Sequence, residues 1–152
     1  MSVTDRHKKP GCFRKLVNSL ESTAPDRRVK IIESFKAEDP EFARYAEESV
    51  FKFEDFLNTP DNVMCELMDG MKSDMRTLAM ALYHAPESML AKFTKNMPTP
   101  QQQTFKEQSE EFQKVLAREQ MAAQFRVVAK ARELEDHGKL KLKKYLGNYP
   151  DA

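Results

Sequence analysis

Residues 39–60 read DPEFARYAEESVFKFEDFLNTP, and the fold turns on how this stretch is divided. It opens on Asp39-Pro40, a helix start: proline has no backbone N–H to lose in a first turn, and the aspartate oxygen can cap the free amides. Phe42, Tyr45, Ala46 and Ser49 then recur at three- and four-residue intervals, the period of one helix face. Phe51, Phe53 and Phe56 follow, interleaved with Lys52, Glu54 and Asp55. This segment is too apolar for a linker and too short for a domain. Asn58-Thr59-Pro60 closes the stretch with a second helix start. The reading is a helix, an aromatic seam and another helix.

The same punctuation recurs along the chain. Pro25, Pro40, Pro60, Pro86 and Pro100 each precede an apolar-periodic run, with Asp39, Thr59 and Thr99 placed to cap. Phe13, Leu16, Val17 and Leu20, then Val29, Ile32 and Phe35, mark one face each. Leu67, Met71, Met75, Leu78 and Leu82 continue the pattern, with Gly70 and Ser73 marking a break. A long last segment near Arg118 to Asp136 ends at Gly138, a good C-cap residue. Strand alternation is almost absent, and KLKLKKYL at 139–146 is too brief for a sheet. The expectation is an all-α chain of eight or nine short helices, in one unit over residues 10–50 and another from about 53 to 140. Such helices persist only by packing on one another.

Composition excludes several classes. No run approaches the ~20 apolar residues of a bilayer-spanning helix. Twenty-five Lys and Arg against twenty-four Asp and Glu leave a net charge of +1, so the whole chain has no electrostatic case for nucleic acid. The basic ends DRHKK and KLKLKK read as solubilising arms. Without the apolar core of a secretion signal in MSVTDRHKKPG, a cytoplasmic location is expected. Cys12 and Cys65 fall in no metal-ligand spacing and read as buried small hydrophobes. The four glycines are too dispersed to cradle a nucleotide, and His7, His84 and His137 lie too far apart for a zinc site. Pairs such as Glu47-Glu48, Glu110-Glu111 and Glu133 with Asp136 read as solvated helix faces. No catalytic residue, metal ligand or cofactor site is expected. Seven of the nine methionines lie between Met64 and Met97; Met64, Met68, Met71 and Met75 keep helical spacing and read as core.

The order of motifs carries a resemblance. PGCFRKLVNSLES, then DRRVKIIESFKAEDPEFARYAEESVFKFEDFL, DNVMCELMDGM, LAMAL, KFTKNM and ARELEDHGKLKL together resemble the C-terminal portion of the flagellar motor switch family FliG, over residues 10–142. The resemblance implies an armadillo-like three-helix unit at 10–50, an aromatic hinge at 51–53 formed by Phe51 and Phe53, and a six-helix C-terminal bundle at 54–142. Residues 1–9 are expected as a disordered basic tail and 143–152 as a flexible one. It also implies a non-enzymatic rotor component acting by protein contact at the cytoplasmic face of the flagellar basal body. Its partners would be rotor proteins of the FliG and FliM kind and the stator's cytoplasmic loop, with self-association by stacking of the first unit and no membrane insertion.

The family's stator-facing helix should be Pro100 to Phe112. The family's charges fall here on Tyr83, Pro100, Glu107, Gln108 and Leu116, so Glu107 alone keeps its charge, and the family's Gly-Pro turn is replaced by Gln113-Lys114. Lys106, Glu107, Glu110, Glu111 and Lys114 are the candidate partner surface, a charged face rebuilt in a shifted register. The alternative is a regulatory or scaffolding adaptor on the same fold that generates no torque.

Overall fold

The computed structural model describes residues 3–142. Among them there are nine α-helices and one 3-10 segment, and no strand. The chain divides into two compact units, the first ending at Phe51 and the second spanning Lys52–Leu142.

The first unit is built from α1 (Val3–His7), α2 (Cys12–Glu21), α3 (Pro25–Glu38) and α4 (Pro40–Ser49). Phe13, Leu16, Val17 and Leu20 of α2, Ile32 and Phe35 of α3, and Phe42, Ala43, Ala46 and Val50 in and beyond α4 form one buried cluster. Phe42 is its centre, edge-on to Phe13 at 5.8 Å and to Phe35 at 5.5 Å. The Asp39 cap forms, its carboxylate accepting from the Phe42 N–H at 3.2 Å and from Lys8 Nζ at 2.7 Å. These two donors, the lysine first, hold the Asp39 carboxyl below its ordinary pKa.

The second unit begins with a 3-10 segment, Phe53–Asn58, followed by α5 (Asp61–Met71), α6 (Met75–Ala81), α7 (Glu87–Thr94), α8 (Thr99–Glu111) and α9 (Ala117–Asp136). Helix α6 packs on both α8 and α9. Met64, Leu67, Met68, Met71, Met75, Leu78 and Leu82 are all buried, so most methionines between Met64 and Met97 are core. Six of that group of seven are buried; Met80 is half-buried. A second aromatic cluster joins Phe53, Phe56 and Phe93, with Phe53 stacked on Phe93 at 5.4 Å and 8°. Polar side chains complete the packing: Gln120 donates to the carbonyls of Ala81 and Tyr83, and Gln124 to that of Ala81. Those carbonyls lie at the end of α6, where intrahelical donors run out.

Several expectations need correction. Residues 3–9 are not a disordered tail: Val3–His7 are helical, Thr4 is buried, and the Val3 and Thr4 N–H groups donate to the Glu38 carboxylate. Gly70 does not break the helix. It lies inside α5 because a Cβ there would sit 2.6 Å from Leu134 Cδ1, so the glycine lets α9 approach. Thr59 and Thr99 do not cap: the Thr59 hydroxyl donates back to the Asp55 carbonyl, and Thr99 is already the first residue of α8. Val29 is 59% exposed although its spacing put it on the inner face of α3. Cys65 is exposed and Cys12 half-buried, so neither is a buried hydrophobe. The expected tail at 143–152, with most of KLKLKKYL, lies outside the described residues.

Candidate functional site

Helix α8 holds the charged candidates, and its sequence explains how. Phe105 is its one buried side chain, so hydrophobic burial alone holds it weakly. Glutamines supply the rest. Gln101 Nε2 donates to the Met68 carbonyl at 2.7 Å, and Gln102 Nε2 to the carbonyls of Thr94 and Met97, both at 3.0 Å. Phe105 and Gln101 face the unit while the exposed Gln102 ties the start of the helix to the preceding turn, and Lys106, Glu107, Glu110 and Glu111 share an arc of roughly 140° at 100° per residue. All four are exposed.

The fifth candidate, Lys114, is not on that face. The helix ends at Glu111, and Phe112 turns to extended backbone with φ −84° and ψ 121°. Its ring lies 4.8 Å under the Arg76 guanidinium, and the same Arg76 approaches Glu111 Oε2 at 3.5 Å. Lys114 therefore belongs to the connection leading into α9. Arg76, contributed by α6, brings a positive charge to this helix end, and nothing in the linear pattern of 100–114 points to a residue 35 positions away.

The neutral positions are also accounted for. Pro100 stands in the first turn of α8, and Gln108 is half-buried with its carbonyl oxygen buried and lacking a hydrogen bond. Leu116 is the residue before α9, and the Tyr83 hydroxyl donates to the Gln113 carbonyl at 3.3 Å. Beside Tyr83 is His84, which stacks on it at 4.1 Å with a positive φ of 52° and is exposed. Both border an open pocket of about 540 Å³ with Phe53, Leu57, Pro86 and Met89. The rim residues there are mostly apolar, and Glu54 is the pocket's one carboxylate.

The two seam aromatics are buried, Phe51 to 4% and Phe53 to 9% exposure. Phe51 is the last residue of the first unit; Phe53 stacks within the second. Among the described residues no group of three or more His, Cys, Asp and Glu is placed to hold a metal ion, and no helix is long and apolar enough to cross a membrane.

Comparison with known proteins gives a consistent result. The chain is 32% identical over 128 residues to the flagellar motor switch protein FliG of Aquifex aeolicus (strain VF5), covering 84% of this chain and 38% of that protein. It is 24% identical over 139 residues to FliG of Bacillus subtilis (strain 168), covering 91% and 40%. The chain thus spans about two fifths of these relatives. Among solved structures, full-length FliG from A. aeolicus matches with a TM-score of 0.55 at 30% identity, over 84% of this chain and 39% of that one. FliG residues 86-343 from H. pylori match with a TM-score of 0.63, over 91% and 64%, and at 18% identity this likeness speaks to the fold alone. The family model for the FliG C-terminal domain matches residues 33–142, well over half of the 152 residues, and on that ground the chain belongs to the FliG C-terminal domain family.

Proposed function

We propose that this chain is a non-enzymatic rotor component of the flagellar motor switch, working by protein contact at the cytoplasmic face of the basal body. Its partners in this reading are other rotor proteins and the stator's cytoplasmic loop. The observation that carries the reading is the solvent face of α8, where Lys106, Glu107, Glu110 and Glu111 stand together on a helix whose inner face is held by Phe105 and Gln101 and whose start is tied to the preceding turn by Gln102. An exposed ion pair contributes about 0.2–1 kcal/mol, so a working contact needs several charges on one rigid support. This face meets that requirement with a different set of residues from the family pattern, and Arg76 adds a cation at its end.

The test is charge reversal. Glu107→Lys with Glu110→Lys is expected to leave helicity and the melting profile intact, because both side chains are exposed, while swimming slows or stops and fluorescent fusions still gather at flagellar bases. Unchanged speed would remove α8 as the working face. A second reading, a scaffolding adaptor that generates no torque, is favoured by the neutral side chains at Tyr83, Pro100, Gln108 and Leu116. It expects bases labelled by the fusion, binding to a rotor protein in pull-downs, and swimming indifferent to the reversal.

A further inference from the structure

Between α6 and α7 the chain turns through Tyr83, His84, Ala85 and Pro86, and His84 adopts a φ of 52°, in the left-handed region that favours glycine. Among the described residues no other side chain is carried at positive φ. The imidazole lies against the Tyr83 ring, with centroids 4.1 Å apart and planes 15° from parallel. The turn thus keeps two stacked rings beside the open pocket of about 540 Å³, where glycine would sit with less strain and supply no ring.

No residue of α8 lines this pocket, so it is separate from the charged face. Leu57, 41% exposed, is part of the lining, and Leu116, 39% exposed, stands between the lining residues Val115 and Ala117. Two of the four large apolar side chains exposed among the described residues therefore gather here, which marks a contact surface more than scattered single exposures would. The polar atoms left over are weighted to acceptors. Gln120 Nε2 serves the carbonyls of Ala81 and Tyr83, Gln124 Nε2 that of Ala81, and the Tyr83 hydroxyl donates to Gln113, so each keeps an oxygen to offer. The Glu54 carboxylate also lines the pocket, is exposed, and makes no ion pair or hydrogen bond with a described residue, whereas Asp55 beside it is committed to the Lys52 N–H. Helices α7 and α9 begin here too, but Glu87 and Glu119 in their first turns offset the positive helix ends.

We propose that this pocket docks an arginine-bearing segment of a partner protein, its guanidinium paired with Glu54 and laid on the Tyr83–His84 stack, and an apolar residue beside the arginine resting on Leu57 and Leu116. A guanidinium carries five N–H donors and no acceptor, which complements a lining whose own donors are largely spent. Its plane stacks on aromatic faces and its fork matches a carboxylate, two properties a lysine ammonium lacks. The shape decides for a protein segment over a small molecule. Small-ligand sites enclose most of their ligand, while this pocket is open and its apolar rim continues past it to Leu116, within reach of a longer chain. The site does not depend on the role given to α8 and is tested apart from it.

NMR titration of the intact chain with the peptide acetyl-Leu-Arg-Leu-amide reads the site residue by residue, and saturable shifts should centre on Glu54, Leu57, His84, Ser88 and Gln120. Citrulline in place of the arginine keeps the shape and loses the charge; that change and Glu54→Gln should each weaken binding about fivefold, the weight of one partly exposed ion pair. Made together they should cost little more than either alone, because they remove the same pair. Leu57→Ser should weaken the peptide about threefold through lost apolar contact. Glu54 and Leu57 are exposed, so both variants should melt as the native chain does. His84→Gly removes the ring and relaxes the backbone, so binding should fall about threefold while the melting midpoint holds or rises. Absence of saturable shifts at millimolar peptide overturns the site, as does an affinity unmoved by Glu54→Gln or by citrulline. Loss of binding in Glu107→Lys with Glu110→Lys would put the peptide on α8 and overturn it equally. Arginine amide alone binding as tightly as the peptide would make the ligand a small cation and overturn the protein segment.

Discussion

Removing the Phe53 ring tests the second unit's aromatic cluster and the position of the seam together. The ring is 9% exposed, lies parallel to Phe93 at 5.4 Å and meets Phe56 edge-on at 5.6 Å. Truncating a buried phenylalanine to alanine costs about 3–5 kcal/mol, counting lost transfer energy and the cavity left behind. Because Phe53 sits at the edge of its unit, where neighbours can relax into the space, the lower end, about 3 kcal/mol, is the expected value for Phe53→Ala. In a domain of this size 1 kcal/mol moves the midpoint by about 4–8 °C, so the second unit's transition should fall by about 12–24 °C. Stacked or edge-on rings also contribute about 0.5–1.5 kcal/mol beyond area, so a Phe53→Ala and Phe93→Ala cycle should show coupling of that size. The assay is calorimetry on the full chain, fitted as two transitions, since two compact units need not melt as one. The matched control is Phe51→Ala, whose loss should fall on the first transition. A cost below about 1 kcal/mol, or a loss that falls on the first unit's transition, would refute the assignment of Phe53 to the second core.

The remaining expectations are narrower. Gly70→Ala should couple to Leu134→Ala: the new methyl meets Leu134 Cδ1 at 2.6 Å, so truncating Leu134 should cost about 1 kcal/mol less in the alanine background, and strict additivity would mean the two do not touch. Asp39→Ala removes both the α4 cap and the partner of Lys8, so it should lower the first unit's melting midpoint and leave the second's in place, as differential scanning calorimetry would register. Since the folded-state pKa of Asp39 is lowered, its contribution is complete above the ordinary carboxylate value near 3.8 and is lost as pH falls below it; Asp39→Asn should flatten that part of an acid titration. His7 works in the neutral range. Burial against Phe35 and Phe42, and then Arg6, lower its pKa below 6.5, so the unfolded chain takes the proton first and the first unit should weaken as pH drops through 6.5. In His7→Gln that slope should disappear from urea midpoints measured between pH 7.5 and 5.5.

Much of the fold was legible because local rules and tertiary packing agree. Proline at a helix start acts through its own ring, so Pro25 and Pro40 begin α3 and α4 as their positions require, and Pro60 and Pro86 stand immediately before α5 and α7. Three- and four-residue spacing found the inner face of α2 without an error, since Phe13, Leu16, Val17 and Leu20 are all buried. The misreadings share a cause. Gly70 looked like a helix break because the reason for it, Leu134, is supplied by a helix more than sixty residues away. Residues 3–9 looked like a tail because their amide acceptor is Glu38, distant in sequence. The candidate face was legible as far as helical geometry extends, to Glu111. Beyond it the helix stops short of Lys114 and a cation joins from α6, because the end of α8 is fixed by Arg76 lying over Phe112.

The glutamines of α9 that close the end of α6 also set what kind of deformation the second unit resists. Three of their amide bonds converge on the carbonyls of Ala81 and Tyr83. For α9 to slip along α6 by even one turn, about 5.4 Å, these acceptors would be stripped of their donors at the same moment that apolar packing is disturbed. The pair therefore behaves as a keyed shaft. A sideways push delivered to α8, which also rests on α6, is spread through that locked register, so the block recoils as a whole before its helices shear.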